Sequence, residues 1–273
     1  MTQPTTQSVV RSRAAVAEEL RRLLPKLEGV RPVSSIPFGL SAIDRHLPQG
    51  GLSGGALHEI VPEAGATPAA FGFLSALLAR ISFPAAFSSA HSHTRPLLLV
   101  LPVYGLRDYG RPHGHGLNAF GLPPHRLILV ETAHRRDTLW AMEEAMHARA
   151  VAAIAGVIDQ IDLKTSQRLQ LAATDCGLPL FLLRPAELLE ASAASTRWRV
   201  GTAPAARDRF GLIAHARWRL SLERCRNGRT GEWMVEYDHV AHRFSLAAAL
   251  ADPAVSRRAD ETGSREPSLR RAG

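Results

Sequence analysis

Four apolar runs of strand length, separated by stretches of helix length, constrain the fold of this chain more than any other feature. Residues 97–103, 151–158 and 178–183 carry almost no polar side chain, and the shorter candidate 57–61 holds His58 and Glu59 between apolar ends. A strand with one wet face alternates apolar and polar residues; these runs do not, so each is expected to be buried on both faces. Between them, residues 69–81, 137–148 and 163–174 place apolar residues at helical spacing, with Leu139, Met142 and Met146 forming an inward stripe. Asp137 is expected to cap its helix and Gly177 to close the next one. A fifth strand is expected at 127–131, and 104–125 reads as a long Gly/His/Pro loop. Strand and helix in alternation point to an α/β protein with a parallel sheet core.

The pattern changes after residue 195. Residues around Trp198, then 215–224, 233–237 and 243–246, read as antiparallel strands, and Asn227-Gly228 is a hairpin turn signal. Upstream, Val16, Leu20, Leu23, Leu24 and Leu27 form the apolar stripe of an N-terminal helix interrupted by Pro25. Such a stripe must be covered by something, so this helix is a candidate partner-binding element. From Asp252 the large apolar residues run out, as in a disordered tail. The organisation expected is an N-terminal arm at 1–35, one α/β domain at 36–250 and a tail at 251–273. Arg11 and Arg13 are followed by no apolar secretion segment and no run is long enough to span a membrane, which places the chain in the cytoplasm. Its two cysteines, Cys176 and Cys225, make neither a disulfide framework nor a zinc site.

The junction after the first buried strand is where a nucleotide-binding α/β protein cradles phosphate. That task needs G-x-x-x-x-G-K-[ST]: glycines that let N–H groups turn toward phosphate, a lysine on the terminal phosphates, a hydroxyl on magnesium. Here the segment is Val61, Pro62, Glu63, Ala64, Gly65, Ala66, Thr67, Pro68. Val61 and Ala66 replace the glycines, Thr67 the lysine and Pro68 the hydroxyl. Asp159, just past another strand, is the candidate for a vestigial magnesium carboxylate.

The approach to this junction resembles the RecA-type ATPase core: Ile36-Pro37-x-Gly39-Leu40-x-x-Ile43-Asp44, Gly50-Gly51-Leu52-x-Gly54, Glu59-Ile60 and Pro62-Glu63. Within that group the chain is most similar to the ImuA family of translesion-synthesis accessory proteins. The supporting segments are Pro124-His125-Arg126-Leu127-Ile128, Leu139-Trp140-Ala141-Met142-Glu143-Glu144-Ala145, Ser166-x-Arg168-Leu169-Gln170-Leu171-Ala172-Ala173, Leu182-Leu183-Arg184-Pro185, Thr196-Arg197-Trp198-Arg199-Val200 and the stretch from Arg224 to Trp233. The resemblance spans roughly residues 36–246. It implies a RecA-like parallel core with C-terminal antiparallel hairpins and an N-terminal helix. It also implies a damage-inducible role in SOS mutagenesis without catalysis. The implied partners are an ImuB-like inactive Y-family polymerase, through it an error-prone replicative-type polymerase, and as further candidates RecA and single-stranded DNA. No cofactor is expected. Two other readings stand beside it: an active DNA-stimulated ATPase, and a division inhibitor resembling SulA.

Charge supplies the remaining candidates. The net balance is +8, and the window 197–229 holds nine arginines against Asp208 and Glu223, a local +7. Arg197, Arg199, Arg217, Arg219, Arg224, Arg226 and Arg229 are therefore candidate contacts for DNA or a partner. Arg224, Arg226 and Arg229 flank the Asn227-Gly228 turn as a basic finger would. Alternation in Arg197-Trp198-Arg199 and Arg217-Trp218-Arg219 instead favours Trp packed inward and Arg outward. His91, His93, His113 and His115 lie in loops without a completing Cys or carboxylate set.

Overall fold

Strands of Leu, Ile, Val and Ala with no polar alternation require two covering layers, and the chain supplies them. The computed structural model describes residues 34–82, 95–103, 110–187, 191–207 and 209–247. The N-terminal stripe Val16, Leu20, Leu23, Leu24 and Leu27, the pair His91 and His93, and the expected tail at 251–273 lie outside the described residues.

Six parallel strands form the centre: β3 (Leu57–Pro62), β4 (Leu97–Pro102), β5 (Leu127–Thr132), β6 (Ala153–Val157), β7 (Leu180–Leu183) and β8 (Thr196–Thr202). Antiparallel β10 (Ile213–Cys225), β11 (Gly231–Asp238) and β12 (Arg243–Leu246) extend the sheet beyond β8, and β9 (Ala206–Arg207) pairs with the start of β10. The sheet order is β12-β11-β10-β8-β3-β7-β6-β4-β5. This is an α/β fold with a mostly parallel sheet and C-terminal antiparallel strands.

Helix α2 (Thr67–Ser82) covers one face, packing Phe73, Leu74 and Leu77 with Phe38, Trp198 and Trp218. Helices α4 (Arg135–Ala148) and α5 (Leu163–Cys176) cover the other, with Met142, Met146 and Leu169 against Leu98, Val100, Ile154 and Leu182. Asp162 caps α5 through Thr165 N–H at 2.9 Å, and Gly177 ends it in the left-handed conformation.

Several expectations are corrected. The fifth strand, β5, does not share the burial of the other four: among the described residues it pairs only with β4, at the edge of the sheet, and Ile128 and Leu129 are exposed. Helix α4 starts two residues before Asp137, which sits in its first turn, and His134 occupies the cap position. The expected loop at 104–125 contains a short helix, α3 (Gly114–Ala119). The segment 34–56, rich in Gly, Pro and Ser, also holds structure: β1 (Ser35–Ile36) pairs with β2 (Leu52–Ser53) around the short helix α1 (Ser41–Asp44) and a 3-10 turn at Pro48–Gly50. Asp44 Oδ1 ties this entry together by accepting from Phe38 N–H at 2.7 Å.

Candidate functional site

The carboxyl ends of the parallel strands are where α/β proteins bind ligands, and the junction from β3 to α2 lies there. Val61 and Pro62 close the strand, Glu63 to Ala66 form the turn, and Thr67 and Pro68 open the helix. Glu63 N–H donates to Val200 O at 2.8 Å, so the turn leaves the strand still bound to β8. Ala66 N–H donates back to Glu63 O at 2.9 Å, and Ala66 O accepts from Ala70 N–H at 3.0 Å. Pro68 contributes no N–H to the helix start. Gly65 takes the left-handed conformation with open space around it.

Glu63 does not point away from this turn into bulk water. Arg219 of β10 donates Nε–H to its Oε1 at 3.0 Å, with a second bond from Nη2. The carboxylate lies over Gly201, where any Cβ would collide with it. The hydrogen bond from Arg219 holds the Glu63 carboxyl below the usual carboxylate range, with Arg199 adding to the field. Asp159 follows β6 and accepts from Gln160 N–H at 2.8 Å. It lines a shallow groove with His134, Arg135, Trp140 and Arg168, between the first turns of α4 and α5.

The arginines of the 197–229 window meet carboxylates that the sequence places elsewhere. Arg197 donates to Glu59 at 2.8 Å, and Arg184 reaches the other oxygen of the same carboxylate at 3.0 Å. Glu59 is 0% exposed and Arg184 4% exposed, so this triad is part of the core. Arg199 pairs with Glu223, Arg217 with Glu236 and Arg219 with Glu63. Thus four of the seven candidate arginines pair with carboxylates in place, three of them with acids outside the window, and Arg197 shares its carboxylate with Arg184. Arg224 donates to Ser192 O. Arg226 and Arg229 have exposed side chains, but the hairpin that carries them is anchored. Arg229 N–H donates to His46 O at 2.9 Å, and the His46 ring meets Trp233 edge-on. Trp198 and Trp218 are buried.

Sequence reasoning met Glu59 and Arg184 only as parts of the resemblance and missed that they pair. The signal available was a lone carboxylate inside a buried strand, which must be paired to be tolerated. Other chemistry is sparse. Among the described residues no group of three His, Cys, Asp or Glu could hold a metal ion. His113 and His115 face each other with ring centroids 5.2 Å apart. Both cysteines are free thiols, and burial raises both above their ordinary range, opposite to what a reactive thiolate needs. Among the described residues no helix is long and apolar enough to cross a membrane.

A comparison with protein-family models finds no match. Two curated proteins from two strains of Caulobacter vibrioides, each called Protein ImuA, are 34% identical to the chain over 254 residues. The match covers 86% of this chain and 96% of each relative.

Proposed function

Because the chain belongs to the ImuA family, we propose that it is a non-catalytic accessory protein of error-prone translesion DNA synthesis. In this reading it acts in the cytoplasm as an adaptor for an inactive, Y-family polymerase-like partner of the ImuB type. An error-prone replicative-type polymerase joins through that partner.

The observation that supports this reading most is the Glu63–Arg219 pair at the β3–α2 junction. A phosphate cradle works by free N–H groups, a lysine and an oriented hydroxyl around an anion. This junction offers Thr67 and Pro68 at the last two positions, uses Ala66 N–H internally, and sets a carboxylate beside the turn. An incoming phosphate would meet that carboxylate's charge, and the arginine able to offset it is already engaged. A fold kept without this chemistry serves by binding. The charge distribution agrees in part: four of the nine arginines in the window already have carboxylate partners within the fold, which leaves less of it for a bare phosphate backbone.

The test is complex formation. The purified chain mixed with the purified polymerase-like protein of the same organism is expected to elute as one stable complex, equally with and without ATP. Separate elution under both conditions, or a complex that forms only while ATP is turned over, would contradict the reading.

A further inference from the structure

Strand β10 is longer than the strands beside it. Its pairing with β8 begins at Trp218 and with β11 at Ala216, so, among the described residues, positions 213–215 have β9 as their one strand partner. The stem of the β9–β10 hairpin is held to the body, with the His215 ring 6.5 Å from that of His239, and the turn beyond it carries the exposed residues. Its tip is apolar where solvent should favour polar residues. Phe210 is 71% exposed, Leu212 65% and Ile213 71%. Among the described residues nowhere else gathers three large exposed apolar side chains within four positions.

This tip is built, not loose. Arg207 donates Nη1–H to Gly211 O at 2.6 Å, across the turn. Gly211 takes the left-handed backbone (φ +78°) that the reversal needs. The Arg209 guanidinium lies 4.7 Å from the centre of the Phe210 ring. A pre-ordered apolar tip loses little entropy on binding, which is the condition for a strong anchor.

We propose that this tip is the docking element for the polymerase-like partner, inserting Phe210, Leu212 and Ile213 into an apolar pocket with an acidic rim. The proposal rests on the adaptor reading above. Three features select this kind of partner. Leu212 and Ile213 have no π-face, so they cannot stack on bases as a nucleic-acid finger would. Arg207 and Arg209, with Asp208 between them in the sequence, leave this stretch a net positive charge of +1 (two arginines less one aspartate), which an acidic rim complements. A second copy of a chain with net charge +8 would bring like charge to the same place.

The experiment titrates the polymerase-like partner with the full chain and with Phe210→Ser/Leu212→Ser/Ile213→Ser. Phe210→Ser alone serves as a milder variant, and thermal melting checks that each is folded. Binding by the wild type, at least about 30-fold weaker in the triple variant and about 10-fold weaker in the single one, is expected, as for loss of central interface anchors. Binding of the folded Phe210→Ser or triple variant within about threefold of wild type would overturn the docking role and leave the adaptor reading intact. No binding by the wild type would overturn both. If the triple variant abolishes self-association in sedimentation, or flotation with anionic phosphatidylglycerol vesicles, while partner binding is unchanged, the tip belongs to a second copy or a lipid surface and the proposal fails.

Discussion

Glu59 is the residue whose environment says most about this molecule. A carboxylate in the middle of a buried strand is stable only because Arg184 and Arg197 reach both of its oxygens. Replacing it by Gln removes the charge and leaves two arginines partly uncompensated in the core. Glu59→Gln is therefore expected to lower stability by about 3–5 kcal/mol in urea unfolding; a change under about 1 kcal/mol would mean the triad is dispensable. His58 is the second informative residue. It is buried, bonded to Thr196 Oγ1 at 2.8 Å and to Ser53 O at 2.9 Å, and burial pushes its pKa down to about 4. The ring is held neutral in the folded chain, whereas in the unfolded chain it takes up a proton near pH 6.5. Its contribution is thus complete above pH 6.5 and is lost as pH falls toward about 4, at roughly 1.4 kcal/mol per pH unit. His242, also lowered by burial, adds in the same direction. Unfolding curves between pH 7 and 5 should show this slope in the wild type and a reduced slope in His58→Gln.

At the scale of elements, the entry hairpin explains why glycines fill the segment before β3. Gly51 has an extended backbone open to any residue, yet a Cβ there would come within 2.6 Å of the Ile36 carbonyl. Close approach of β1 to β2 demands its absence. Gly51→Ala is expected to cost about 1–3 kcal/mol by thermal melting, whereas Gly65→Ala, in open space, carries only the left-handed backbone penalty of about 1 kcal/mol. Equal losses would argue against the packing explanation. The elements legible in the sequence were the strands with little or no alternation, β3, β4, β6 and β7, and the helices with a helical period, α2, α4 and α5. Edge position was not legible for β5, because Leu127 to Val130 are as apolar as a central strand and only the sheet order reveals one neighbour. Short elements such as β1, α1 and α3 were missed because two to six residues give no period, and tertiary contacts fix them.

For the whole molecule, part of the basic window is balanced across strands, which a local count of charge does not show. Arg199, Arg217 and Arg219 look like a basic patch along the chain, but the register of β10 with β11 puts Glu236 opposite Arg217, and the turn after β3 brings Glu63 to Arg219. The inward Trp198 and Trp218, by contrast, were readable from period two alone, whereas Arg197 turns to the covered opposite face to meet Glu59 rather than outward to solvent. The junction at 61–68 was legible in composition, since the missing lysine and hydroxyl are visible in the sequence; the Glu63–Arg219 pair, which joins residues 156 positions apart, was not. The central claim is that this α/β body has no nucleotide chemistry. Calorimetric titration with magnesium-ATP, together with phosphate release with and without single-stranded DNA, tests it most directly. The account predicts no saturable heat and no turnover above background in either condition. Saturable binding with DNA-stimulated turnover that disappears in Asp159→Ala would contradict it.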